Sequence, residues 1–293
     1  MARVICVHGI GQQFSGERDQ HLRWCAAIAD GLTRAGVSAA GSALAPADVS
    51  CVFYGDLFRP PGRVLAAQDP PWDASDVDDA GDDAYEAELL FALWEEAART
   101  DSAVVPPQAR TLARTPRSVQ MALDALSRSR FFAGLAMRGL IADLKQVRGY
   151  LCDQDTYARV QQRVAAAVTD RTQVVIGHSL GSVVAYEALA AHPEWSVRSL
   201  LTLGSPLGIR NLVYDRLRLP TGGAPGDWPG PVTDWTNLAD AGDVVALVKD
   251  LRPLFGDRVE GQLVHNGSRA HDATRYLSTD GAGRAVARGC GLL

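Results

Sequence analysis

The chain has no uninterrupted apolar stretch approaching the ~20 residues that a membrane-spanning helix needs, so nothing in it reads as a transmembrane segment. Cysteine is sparse and scattered. Cys6, Cys25, Cys51, Cys152 and Cys290 are odd in number and form no CxxC pair, and two of them lie inside apolar runs that read as buried strands. That usage argues against a disulfide framework and against a zinc site. Positive charge is not in excess either: 29 Lys and Arg stand against 34 Asp and Glu, a formal net charge of -5. A polyanionic partner would find little to hold, and no nucleic acid is expected as a ligand. No internal repeat or long low-complexity tract interrupts the chain. Met1-Ala2-Arg3 pass straight into the apolar run Val4-Ile5-Cys6-Val7, which is too short for a signal-peptide core and leads into a functional-looking turn. A cytoplasmic, reduced protein is the expectation.

What is present is an alternation. The 293 residues, 47% hydrophobic and 22% charged, suit an ordinary globular protein of one large domain or one domain with a substantial insertion. Short runs rich in β-branched and aliphatic residues occur at Arg3–His8, Val49–Tyr54, Gln173–Gly177, Val197–Leu203, Asp234–Ala239 and Val259–Val264. Helical patterns lie between them, which predicts a mostly parallel sheet of about six strands with helices on both faces. In Asp19–Ala35, for example, Leu22, Cys25, Ile28 and Leu32 recur at helical spacing ahead of Gly36. The helix after Ser179 should run to about Ala191 and stop before Pro193. Pro220–Pro231, rich in Gly and Pro, reads as an irregular loop.

Residues 59–169 break this rhythm. After Pro60-Pro61 comes an acidic segment (Asp73, Asp76, Asp78, Asp79, Asp82, Asp83), then helical patterns over Glu86–Arg99, Arg117–Ser127 and Arg130–Tyr150. The division expected is a core of residues 1–58 and 170–293 with a mainly helical insertion, 59–169, in the position of a lid. The acidic segment starts like a calcium loop but fails where ligands should be, at Ala80 and Ala87, and reads as a solvated loop. Within residues 128–147, Phe131, Phe132, Leu135, Ile141 and Leu144 are interleaved with Arg128, Arg130, Arg138 and Lys145. That pattern fits a lid helix packed on the core, or a peripheral membrane contact.

The sharpest chemical signal is Gly177-His178-Ser179-Leu180-Gly181, a GxSxG pattern between an apolar strand and a helix. A serine on such a tight turn is pushed into the open. The N-terminus of the following helix points unpaired N–H groups and positive dipole at the place where an oxyanion would form. A second signal, Val7-His8-Gly9-Ile10-Gly11-Gln12, ends the first strand, where ligand sites of open α/β sheets lie. The Ile10 and Leu180 N–H groups are therefore the candidate oxyanion hole. His8 reads as a structural residue hydrogen-bonded beneath this loop rather than as a catalyst.

These motifs resemble the lipase-like branch of the α/β-hydrolase superfamily. The matching pieces are Val-His-Gly-Ile-Gly, Gly-His-Ser-Leu-Gly, Leu201-Thr-Leu-Gly-Ser-Pro, Trp235-Thr-Asn-Leu-Ala-Asp-Ala-Gly-Asp-Val-Val-Ala and a late histidine. They span roughly residues 1–58 and 170–290. The resemblance implies an α/β-hydrolase fold whose usual first two strands are missing, and a triad in the order Ser, acid, His. It implies an esterase or lipase-like serine hydrolase acting on a small-molecule or lipid acyl substrate through an acyl-enzyme, with no metal or organic cofactor.

The acid must lie after the fifth strand, where Asp240 and Asp243 both stand. Asp243 is preferred because it precedes Val244-Val245-Ala246 as the acid does in the related lipases; it could instead cap a helix over Val244–Leu251. For the base, His265 closes the last strand, whereas His271 lies in the loop beyond it and can reach a serine over the carboxyl edge; His271 is preferred. Two other functions remain open: a non-catalytic binding module on a hydrolase scaffold, and a peptidase or thioesterase using the same triad.

Overall fold

The computed structural model describes residues 2–37, 44–59, 72–77, 84–107, 115–129, 137–220 and 222–293. Strands β1 (Val4–Val7), β2 (Val49–Val52), β3 (Val174–His178), β4 (Ser199–Leu203), β5 (Asp234–Asp240) and β6 (Val259–Val264) all appear where the apolar runs were read. They form one sheet in the order β2-β1-β3-β4-β5-β6. Every neighbouring pair is parallel, with Val4 opposite both Val49 and Val174.

A parallel sheet needs cover on both faces, and the side chains of its inner strands supply two apolar surfaces. The helices are α1 (Glu17–Arg34), α2 (Tyr85–Thr100), α3 (Pro116–Ser127), α4 (Met137–Cys152), α5 (Gln154–Ala167), α6 (Leu180–Ala191), α7 (Arg252–Phe255), α8 (Ala273–Leu277) and α9 (Asp280–Gly289). Val4 and Cys6 of β1 join a cluster with Trp24 and Ile28 of α1 and Val286 of α9. Ile5 and Val7, one residue out of phase, join the opposite cluster with Val164 of α5 and Val183 of α6. Each fully buried aliphatic side chain of this kind contributes about 1.5–3 kcal/mol, which fixes the register of both layers.

The buried stripe of α1 differs from the one read in the sequence. Leu22 is 60% exposed, and the inward face is Gln20, Trp24, Ala27, Ile28 and Gly31. The helix turns its larger apolar group, the Trp24 indole, toward the sheet. Its C-terminus is as expected: Gly36 takes φ 78 and Val37 N–H donates to Leu32 C=O at 3.0 Å.

In the helical region, α2, α3 and α4 pack on one another and share a core with the sheet through Leu90, Leu123 and Ile141. The helix α5 was not separated from this region in the sequence, yet it packs on β2 and α6, as a crossover helix of the sheet does. Tyr150 on α4 donates to the buried Glu187 carboxylate on α6, and Gln161 on α5 donates to the Tyr150 hydroxyl at 2.7 Å. These bonds tie the three helices together.

Leu140, Ile141 and Leu144 of α4 are buried in the core, and Lys145 pairs with Glu86 at 3.1 Å. Residues 130–136, which carry Phe131, Phe132 and Leu135, lie outside the described residues, as do Pro60-Pro61 and residues 78–83 of the acidic segment. Among the described residues no helix is long and apolar enough to cross a membrane.

Candidate active site

β1 and β3 lie side by side, but the chain continues from β1 outward to β2 and from β3 outward to β4. Their carboxyl ends therefore open a crevice of the kind that holds ligands in open α/β sheets. Ser179 stands at that point, directly after β3, with φ 54 and ψ -131. Only one other non-glycine among the described residues, Asn211, has positive φ. Such a backbone costs on the order of 1–3 kcal/mol and needs its surroundings to enforce it. Ser179 N–H donates to Leu203 C=O at 3.0 Å, and the Ser182 hydroxyl donates to Ser179 C=O at 2.6 Å. Gly181 sits so close to β1 that a Cβ would fall on the carbonyl oxygens of Val7 and His8, which explains the second glycine of the motif.

Across the crevice His271 Nδ1 lies 2.8 Å from Asp243 Oδ2, which also accepts from the Tyr276 hydroxyl at 2.8 Å. The other carboxylate oxygen, Oδ1, accepts the amides of Val245 at 2.9 Å and Ala246 at 3.3 Å. No helix follows Asp243; residues 244–250 are irregular, so the helix-cap alternative falls away. Asp243 is fully buried. Burial alone would raise its pKa, but the His271 ring and these hydrogen bonds outweigh it and hold the carboxyl below the usual range. A carboxylate there requires the proton on His271 Nδ1, which leaves Nε2 as the free acceptor. Gly204, φ 53, gives the pair its room: a Cβ would lie 2.6 Å from Asp243 Oδ2 and 3.0 Å from His271 Nδ1.

The two alternatives sit elsewhere. Asp240 is buried, but its carboxylate accepts the amides of Gly242, at 2.7 Å, and Asn266, a tie between loops, and it does not contact His271. His265 is exposed just past β6 and does not line the cavity.

The cavity, of ≈ 520 Å³, brings Ser179, His271, Ile10 and Leu180 to one surface. No hydrogen bond joins the Ser179 hydroxyl to His271, and Ser179 is only 2% exposed, its opening being to this cavity. Among the described residues neither the Ile10 nor the Leu180 amide donates to a protein group, as expected of the first amide of a helix and of an open loop. Gly9 lets the loop close on the serine, since a Cβ there would lie 2.6 Å from Ser179 Cβ. His8 braces the loop from below: Tyr54 N–H donates to His8 Nε2 at 3.1 Å, so Nδ1 carries the proton given to Gly9 C=O at 2.6 Å. Burial pulls the His8 ring down to about 4 and, helped by the His271 ring beside it, the His178 ring down to about 3. Both stay neutral, and His178 Nε2 lies 2.8 Å from His271 C=O, holding the His271 loop in place.

Four contributors carry no local sequence signal. Tyr276 reaches the acid from α8, and Gln146 on α4 accepts Gly11 N–H at 3.2 Å and donates to Gln13 Oε1 at 3.1 Å, bracing the loop after β1. Asp143 on α4 lines the cavity, as does Arg23 on α1, which is also exposed to solvent. Among the described residues no group of His, Cys, Asp and Glu is arranged to hold a metal ion.

The molecule is thus an α/β protein with a six-stranded, all-parallel open sheet flanked by helices. No family model matches the chain, and neither the curated proteins nor the solved structures yield a match.

Proposed function

We propose that the chain is a serine hydrolase of the α/β-hydrolase type that cleaves an acyl bond, most economically a carboxylic ester. The observation that carries the reading is a serine on a strained strand-to-helix turn sharing one cavity with a histidine bonded at 2.8 Å to a buried carboxylate. In this reading Ser179 is the nucleophile, His271 the base and Asp243 the acid, with Asp240 and His265 outside the triad.

The steps follow from the protonation pattern. His271 Nε2 takes the Ser179 hydroxyl proton as Oγ forms a bond to the acyl carbon, and the carbonyl electron pair moves onto oxygen. That oxyanion is held by the Ile10 and Leu180 N–H groups, which line the cavity and donate to no other group among the described residues. Asp243 stabilises the imidazolium. The proton then passes to the departing alkoxide oxygen, the ester bond breaks, and water repeats the sequence to release the acid and restore Ser179.

Leu89 and Leu93 of α2 and Leu140, Leu144 and Val147 of α4 form an apolar wall of the same cavity, which suits a hydrocarbon acyl part. Residues 59–169 would then act mainly as a cap over a core of 1–58 and 170–293, with α5 belonging to the sheet's own helical layer.

A fluorophosphonate probe tests the reading: intact protein should take one label and Ser179→Ala none. Intact protein that stays unlabelled would favour a binding module instead.

A further inference from the structure

The apolar wall of the cavity is broken by one polar side chain. Asp143 lies on α4 among Leu140, Leu144 and Val147, all of which line the same space. Among the described residues its only hydrogen bond is a 3.5 Å contact with Gln146 Nε2, and no described Lys or Arg pairs with it. The charged and titratable groups sharing the cavity are Arg23, Arg269, Asp272, His8, His178 and His271, and of these only His271 acts on it appreciably. Burial pushes the Asp143 carboxyl up to about 7, and the His271 charge offsets this only in part.

Its location relates it to the reaction centre. A Cβ on Gly11 would lie 3.5 Å from Asp143 Oδ1, while a Cβ on Gly9 would lie 3.1 Å from the Ser179 hydroxyl oxygen. The one short loop after β1 therefore touches both groups. A carboxyl facing an apolar cavity with one long hydrogen bond is costly to desolvate under a plain hydrocarbon chain. A substrate that brings a hydroxyl removes that cost. A neutral hydroxyl suits either protonation state, because it can donate to a carboxylate or accept from a carboxylic acid.

We propose that Asp143 is a specificity-determining residue that hydrogen-bonds a hydroxyl on the acyl part of the substrate, so that hydroxylated acyl esters are preferred over plain ones. The inference rests on the reading of Ser179 as the acyl-accepting nucleophile. The acyl half is assigned because Asp143 interrupts the hydrocarbon wall from α2 and α4, whereas the lining residues Arg23 and Arg269 are exposed to solvent.

The test compares kcat/KM for p-nitrophenyl hexanoate with that for its counterparts hydroxylated at the second, third or terminal carbon. The wild-type chain should favour at least one hydroxylated ester by about tenfold, the worth of one net hydrogen bond of roughly 1.4 kcal/mol. Asp143→Leu should reverse that preference, and Asp143→Asn, which still offers an acceptor and a donor, should keep it. Asn alone settles the matter if the Leu variant does not fold, since an Asn variant that loses the preference overturns the proposal. Equal rates for plain and hydroxylated esters, or a stronger preference for an ester bearing a quaternary ammonium, would also overturn it while leaving Ser179 as nucleophile. If no ester is turned over and Ser179 takes no fluorophosphonate, the underlying reading falls as well.

Discussion

On its sheet side the cavity is lined by main chain and by side chains locked in hydrogen bonds; on its helical side it is lined by leucines and a valine from α2 and α4. The first wall tolerates almost nothing: Cβ atoms are excluded at Gly9, Gly181 and Gly204, and both carboxylate oxygens of Asp243 are engaged. The second meets the cavity with apolar side chains, Asp143 being the exception, and its polar ties, Lys145 to Glu86 and Tyr150 to Glu187, lie away from that lining. On the proposed reading chemistry and selectivity would be separated in space, since the groups proposed to react stand at the sheet edge and those that would shape the substrate stand on the appended helices.

The sharpest way to break that comparison is to strike the sheet side first. Ser179→Ala or His271→Ala should lower kcat for an activated ester on the order of 10⁴–10⁶-fold, whereas His265→Ala should leave most of it. Asp243→Asn should cost on the order of 10⁴-fold in kcat, because an amide cannot fix the His271 tautomer; Asp240→Asn should cost far less. Equal losses at the two aspartates would mean that the loop serves the histidine differently. Gly204→Ala should cost about 10²-fold by displacing the Asp243–His271 pair while the fold, checked by circular dichroism, persists.

Where the helical wall is anchored, the expected effect is one of pH. Burial lifts Glu187 on α6 to about 7 from its ordinary 4.5, so the folded chain keeps a proton that the unfolded chain releases. That contribution to stability is complete below pH 4.5 and is lost as pH rises through 7. Glu187→Gln should therefore flatten the fall in unfolding free energy across this window, by about 1.4 kcal/mol per pH unit relative to wild type. Denaturant midpoints measured at several pH values report it. The smallest effect belongs to the wall itself: Val147→Phe should shift the preferred acyl chain to a shorter length, with about a tenfold fall in kcat/KM for long esters and little change for acetate.

The same division explains what could be read in the sequence. The inner strands β1, β3 and β4 are legible because strands of a parallel sheet are short and nearly uniformly buried, and the serine turn because its glycines are dictated by local close approach. Asp243 and His271 could be ranked above Asp240 and His265 by loop position. Asp143, Gln146 and Tyr276 left no trace, since each acts across long sequence separations and looks locally like any polar or aromatic residue of a helix. The α1 stripe differs at Leu22 because apolar side chains stand on more than one face of that helix, and packing against the sheet selects the face of Trp24.

The central claim is that Ser179 becomes covalently acylated. The direct measurement is intact mass and peptide mapping of the chain quenched during turnover of a p-nitrophenyl ester, alongside the early burst of p-nitrophenol. The account predicts one acyl group per chain, carried on Ser179 and absent from Ser179→Ala. Turnover with no adduct, or an acyl group mapped to another residue, would contradict it.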